Sequence, residues 1–270
     1  MSDSEILLEG DIFEEPEDFR PPKPDSHFAK YERKYCIPEA EKGIKEINLR
    51  LVGKSPLWGH LLWNAGVYTA DYVEKHAAEF IKGKRIVEFG AASALPSLLC
   101  SLNGAEKVVC TDYPDPDLLE NIRYNVDHLA SPEAQKLIDV EGFIWGNDTS
   151  EISAKIGGTG KADFLILSDL VFNHSEHHKL LKSCKKLIKP LDGGKARTGG
   201  KCLVVWSPHR TKPKMIENDF KFFTDAKEVF DFDVEMVEMV HWDHPMFPEE
   251  AQETEEIRKR VYCYLLHPTW

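Results

Sequence analysis

The sequence predicts an α/β fold, a doubly wound and mostly parallel sheet with an antiparallel pair at one edge. Three features carry that expectation. Short apolar runs recur along the chain: RIVEFG (85–90), KVVCTD (107–112), DVEGFIWG (139–146), DFLILSDLV (163–171) and KCLVVWSP (201–208). Stretches with helical spacing separate most of them, LPSLLCSLNG (95–104), DLLENIRYNVDHL (117–129) and SEHHKLLKSCKKLI (175–188), and that alternation marks βαβ units with right-handed crossovers. The rhythm then changes after a last helix, IENDFKFFTDAKEV (216–229). FDVEMVEMV (232–240) and RKRVYCYLL (258–266) read as two strands joined by the loop-like, acidic HWDHPMFPEEAQETEE.

The remaining elements follow in chain order. Residues 1–30 hold nine Asp/Glu against three Lys/Arg and include the proline-rich PEDFRPPKPD, a composition that suits an extended arm. Within it, ILLEGDIF has enough apolar character to dock on the body. We divide the chain into an acidic N-terminal extension, 1–43, and one catalytic-sized domain, 44–270. IKEINLRLV (44–52) alternates as a strand does, and after Gly66 the positions Val67, Ala70, Val73 and Ala77 recur at helical spacing. PLDGGKARTGGK (190–201) reads as a flexible surface loop.

Composition narrows the function. At 270 residues, with 42% hydrophobic and 30% charged residues, the chain can bury one large core. Its formal net charge of -12 argues against a nucleic-acid binder, which shows a basic face, and suits a basic protein partner. The six cysteines form no Cys-x-x-Cys pair, and several sit inside apolar runs, as small core residues do. No signal-peptide pattern and no run near the ~18 apolar residues of a membrane span is present. The expected setting is the reducing cytoplasm, with no membrane partner.

In open α/β sheets ligands sit outside the carboxyl ends of the strands. The first of those ends supplies Glu88 and Gly90; the second supplies Asp112, 22 residues beyond Gly90. An acid at that distance accepts hydrogen bonds from a ribose diol, which points to a nucleoside. A dinucleotide fingerprint needs G-x-G-x-x-G, whereas the later positions here are Ala92 and Leu95. That spacing disfavours a pyrophosphate, and with it a nicotinamide-dinucleotide oxidoreductase, and favours a nucleoside without phosphate such as S-adenosyl-L-methionine. Read alone, the glycine also suits a tight strand-to-helix turn.

VEFGAASALPSLL resembles the first motif of the seven-β-strand methyltransferases, and VVCTDYPDPDLLENIRYN resembles their second. PLWGHLLWNAG, FIWG and DFLILSDLVFNH are similar to the protein-methylating branch that includes lysine methyltransferases. The resemblance spans roughly residues 30–270 and, with the acidic arm, is strongest to fungal members acting on translation elongation factor 1-alpha. It implies a Rossmann-like seven-stranded sheet, S-adenosyl-L-methionine as cofactor, and a monomer that methylates the N-terminal glycine and adjacent lysine of that factor. It further implies that Trp58 borders the cofactor's methionine end and that Gly90, Ala91 and Ala92 allow close backbone approach. Asp112 would hold the ribose, Tyr113 and Trp145 would flank the adenine, and Ser168 would line the pocket. Where the branch often has Asp-x-x-Tyr, this chain has Asp169-Leu-Val-Phe172, so no tyrosine hydroxyl is available there.

Methyl transfer to an amine asks little acid–base chemistry of the protein, because positioning alone contributes up to ~7–11 kcal/mol. The amine must be neutral: an α-amino group, pKa about 7.7–8.0, is partly so, whereas a lysine near 10.4 must lose a proton on entering a dry site. Asp169, Asn173 and His174 are the candidates for orienting the amine. Phe172 and Trp242 are the candidates for the dry wall, and their ring faces suit a cation. The run His174, His177, His178 reads as a solvated helix start, not a metal site. Two further alternatives stand beside protein methylation: a small-molecule, nicotinamide-type N-methyltransferase, and a non-catalytic module that binds the elongation factor.

Overall fold

A computed structural model of the chain describes residues 24–35, 43–53, 58–246 and 251–270. A two-stranded antiparallel ribbon, β1 (His27–Glu32) and β2 (Glu46–Leu51), precedes helices α1 (Asn64–Lys75) and α2 (Ala77–Phe80). The main sheet follows: β3 (Arg85–Phe89), α3 (Leu95–Leu102), β4 (Lys107–Asp112), α4 (Pro116–Asp127), α5 (Pro132–Gln135), β5 (Ile138–Gly142), α6 (Ser150–Ile156) and β6 (Phe164–Ser168). The chain ends with α7 (His177–Leu187), β7 (Lys201–Trp206), α8 (Pro213–Glu228), β8 (Phe232–His241), α9 (Gln252–Arg258) and β9 (Arg260–Pro268).

Seven strands lie in the order β5-β4-β3-β6-β7-β9-β8. β3 pairs in parallel with both β4 and β6, so the winding reverses between them. β9 is the reversed strand, antiparallel to β7 and to β8. It lies one place in from the edge, and β8 forms the edge.

Alternation along the central strands builds two cores. On one face Ile86, Val108, Phe164, Ile166, Leu203 and Val205 pack with α1 and α3 residues such as Val73 and Leu98. On the other, Val87, Val109, Leu165, Leu167, Val204 and Trp206 pack with Leu180, Leu181 and Phe222 of α7 and α8. Because both faces are covered, these strands are near-continuously apolar.

Several boundaries differ from the sequence expectation. The segment expected as a loop between the last two strands contains α9; its Glu, Gln and Arg are good helix formers, with acids in the first turn and Arg258 in the last. α5 and α6 were not expected; the first is capped by Ser131, whose Oγ accepts from Ala134 N–H at 3.3 Å. β5 stops at Gly142 and β6 at Ser168, so FIWG and DLVF leave the sheet and become walls of a cleft. Within the acidic extension, β1 is tied to the body. Tyr31 is buried and donates to Asp71 Oδ1 at 2.8 Å, and Arg33 pairs with the fully buried Glu74 at 2.5 Å. Segments 1–23 and 36–42, with ILLEGDIF and Cys36, lie outside the described residues. The five described cysteines are free and buried, and no helix among the described residues is long and apolar enough to cross a membrane.

Candidate active site

The carboxyl ends of β3, β4 and β6 open into a cleft of about 580 Å3, within the ~300–1,000 Å3 typical of small-molecule sites. Its floor is the turn after β3. Gly90 has φ +59°, and a Cβ there would stand 2.5 Å from Leu170 Cδ2. Only glycine leaves the backbone bare at that point. Ala92, Ala94, Trp58 and Asp169 also adopt positive φ. Each such residue with a Cβ costs about 1–2 kcal/mol, and strain of this kind gathers at functional sites.

Glu88 lies behind this turn, not in the cleft. Residues two apart on a strand share a face, so Glu88 points with Ile86 toward α3. There its Oε2 accepts from Ser97 N–H at 3.0 Å and from Ser97 Oγ at 2.5 Å. It thereby satisfies one of the open amides of the first helical turn. Burial pushes its carboxyl up to about 8, against the opposite pull of the Ser97 bonds. Ala91 is likewise turned away from the cleft: its N–H donates to Thr111 O at 3.0 Å and its methyl is buried in the core.

Asp112 ends β4 and faces the cleft. Oδ2 accepts from Ala92 N–H and Oδ1 from Tyr113 N–H, both at 2.7 Å. Burial raises its carboxyl to about 6, while these two amides pull it down. Each oxygen keeps a second acceptor direction, so the group can take two further donors, as a diol supplies. Tyr113, Leu118, Phe143, Ile144 and Trp145 make an apolar slot beside it.

The opposite end is built from aromatics. Trp58, Trp63 and Phe172 line it, together with Ser168, Asp169, Asn173 and His174. Thr69 Oγ1 donates to Ala65 O at 2.7 Å and lies 3.0 Å from Ser168 Oγ. Thr69 has one hydroxyl proton, so Ser168 donates to it and turns acceptor lone pairs to the cleft. Asn173 Oδ1 accepts from Ser175 Oγ at 3.1 Å.

Asp169 is already committed: Oδ1 accepts from Ser207 N–H at 3.1 Å, and Oδ2 lies 3.0 Å from His209 Nε2. His209 is stacked between Trp63 (centroids 4.5 Å apart) and Phe172 (4.6 Å). Asp169 thus anchors the aromatic wall through His209. His174 is held by Asp219 of α8 at 2.5 Å; burial raises that carboxyl and His174 pulls it back.

Of the expected residues, Trp58, Gly90, Ala92, Asp112, Tyr113, Trp145, Ser168, Asp169, Phe172, Asn173 and His174 converge on the cleft. Glu88 and Ala91 support it from behind, and Trp242 is elsewhere. Its N–H donates to Lys259 O at 2.7 Å beside the sheet edge, and its ring packs on the core below Lys34. The three histidines diverge, His174 to Asp219, His177 to Val171 O and His178 to Asp225. The described residues hold no cluster of three potential metal ligands. The sequence reading missed Trp63, His209 and Arg210. The last two follow the carboxyl end of β7, where the strand-end rule that found Asp112 applies equally.

Comparison with known proteins agrees with this architecture. The family described as lysine methyltransferase matches residues 47–228. "Protein N-terminal and lysine N-methyltransferase EFM7" of Candida albicans is 52% identical over 100% of both chains. The protein of that name from Schizosaccharomyces pombe is 38% identical, over 94% of this chain and 93% of its own. Among solved structures, a protein described as an RNA methyltransferase of Pyrococcus horikoshii superposes with a TM-score of 0.52 at 15% identity, covering 82% of this chain and 90% of its own. One from Streptococcus mutans, described as S-adenosylmethionine-dependent, gives 0.51 at 12%, over 82% of this chain and 53% of its own. At such identities these two speak for the fold.

Proposed function

The chain belongs to the lysine methyltransferase family, and from that premise we propose that it methylates the N-terminal glycine and adjacent lysine of translation elongation factor 1-alpha, using S-adenosylmethionine. One observation carries methylation of protein amines: relatives named for protein N-terminal and lysine methylation are half identical over their full length. The choice of factor, and the cytoplasm as the place of action, rest on the sequence resemblance.

The residues present fit the cofactor. Asp112, with two acceptor directions left after its amide bonds, suits the ribose hydroxyls, and the Tyr113–Ile144–Trp145 slot suits the adenine. The bare backbone at Gly90, with Trp58 and Ser168 opposite, leaves room for the methionine portion. When bound, S-adenosylmethionine supplies a methyl group on a sulfonium, open to attack by a neutral amine.

The protein's own part is positioning and drying. Trp58, Trp63 and Phe172 exclude water from the amine, and an apolar environment lowers the pKa of an incoming lysine toward neutrality. The acceptor lone pairs of Ser168 and the side chain of Asn173 can orient the amine N–H groups. Asp169 holds the wall, because both its oxygens are engaged with Ser207 and His209. The test is incubation of the purified protein with labelled S-adenosylmethionine and purified elongation factor, followed by mass spectrometry of the factor's N-terminal peptide. Methyl groups on the first two residues are expected. An unlabelled factor, with label on nicotinamide in a parallel incubation that supplies it, overturns the proposal.

A further inference from the structure

In a chain of net charge -12, the connection from β7 and the first turn of α8 read SPHRTKPKM: Arg210, Lys212 and Lys214, with no acid among residues 207–215. All three cations are exposed. Several other lysines and arginines are paired, as in Lys30–Glu46, Lys107–Asp139, Lys155–Glu141 and Lys185–Asp231. Among the described residues none of these three has a carboxylate at ion-pair distance. Among the described residues, the Arg210 guanidinium donates to Met215 Sδ at 4.0 Å. Asp219, whose carboxyl the Arg210 charge helps to hold down, is already engaged with His174.

The loop that carries these charges is held in place. Ser207 N–H and the His209 ring are fixed by Asp169, and Arg258 Nη1 donates to His209 O at 2.8 Å. Arg210 therefore stands at the mouth of the cleft, on the side of Phe172, Asn173 and His174. Lys212 and Lys214 lie outside the cleft lining, at the start of α8. A cofactor carboxylate would use a cation inside the cleft and leave these two idle. Nucleic acid would meet three positive charges on a strongly negative body, far from the broad basic face that phosphate recognition requires.

We propose that Arg210, Lys212 and Lys214 form a docking surface for acidic side chains that the protein substrate carries within a few residues of the amine to be methylated. The inference rests on the protein-methylation reading above and adds the feature by which the cleft selects among proteins. The loop guides an acidic segment across the mouth, so that the preceding amine enters between Trp58 and Phe172. Rim charges of this sort act through association rate and salt dependence.

The experiment compares the full-length protein with its Lys212→Gln/Lys214→Gln double variant on purified elongation factor 1-alpha. A second factor carries Gln or Asn in place of every Glu or Asp in its first ten residues. The expected result is a KM for the natural factor raised about fivefold in the double variant at low salt, the product of two exposed ion pairs. The kcat and the KM for S-adenosylmethionine stay unchanged, and the difference shrinks at 0.5 M salt. The neutralised factor shows at least the same rise with the unaltered protein, since Arg210 loses its partner too, and no further rise with the variant. Equal KM values for both enzymes refute the docking surface while leaving the methylation reading intact. So does tight binding of an RNA oligonucleotide that the double variant loses. An unaltered protein that labels no protein at all overturns the reading and the docking surface together.

Discussion

Replacing Asp112 by asparagine tests the contact proposed to hold the cofactor's ribose. The carboxylate now accepts two backbone amides at 2.7 Å and keeps acceptor capacity toward the cleft. Asparagine offers one oxygen, so an N–H of Ala92 or Tyr113 faces an NH2 group, and one ribose hydroxyl loses a charged acceptor. Hydrogen bonds to charged groups are worth about 1.5–3 kcal/mol, so the Kd for S-adenosylhomocysteine should rise about 10- to 150-fold. The ligand-free protein should lose less. Burial raises Asp112 to about 6, so at neutral pH the native fold holds an unfavourable charge that asparagine removes, offsetting the lost amide bond. Calorimetric titration at pH 7.5 measures the affinity, and thermal unfolding measures the fold. In the unaltered protein affinity should also weaken as pH falls through 6, because the carboxylate takes up a proton; the variant should show no such slope. A Kd within threefold of the unaltered protein, or parallel pH profiles, refutes the assignment of Asp112 to the ribose.

Three further outcomes follow from the geometry. The neutral form of Glu88 is favoured by the fold, its carboxyl raised from 4.5 to about 8; the stability this confers is therefore complete below 4.5 and is lost as pH rises through 8. Its slope is about 1.4 kcal/mol per unit inside that window. Glu88→Gln, a mimic of the protonated acid, should flatten that part of the unfolding-temperature profile, and an unchanged profile contradicts it. Gly90→Ala places a methyl 2.5 Å from Leu170 at φ +59° and should cost about 1–3 kcal/mol. Leu170→Ala should restore ligand affinity in part, which calorimetry on the double variant measures. His209→Ala removes the partner of Asp169 and the filling between Trp63 and Phe172. It should lower kcat at least tenfold while the Kd for S-adenosylhomocysteine stays within twofold, and loss of both in proportion contradicts its placement at the amine end.

What the sequence disclosed depended on range. RIVEF and KVVCTD each end an apolar run on a residue with special chemistry, Gly90 and Asp112, and both stand where strand-end reasoning puts them. Glu88 was legible too, since its parity with Ile86 places it under α3; treating it as a cleft residue ignored the two-residue period. His209 was hidden because its importance comes from Trp63 and Phe172, residues far away in sequence that close on it only in the folded sheet. Trp242 fails for the converse reason. It follows β8, and nothing local says that β9 inserts between β8 and β7 and carries that tryptophan away from the switch point. α6 and α9 are short and polar, and helices of that length are set by packing and end charges more than by periodicity.

The most direct test of the account is mass spectrometry of the elongation factor 1-alpha N-terminus from cells with the intact gene, with the gene deleted, and with the deletion complemented by Asp112→Asn. Methylated glycine and lysine should appear only with the intact protein, and a factor equally methylated in all three strains contradicts the account.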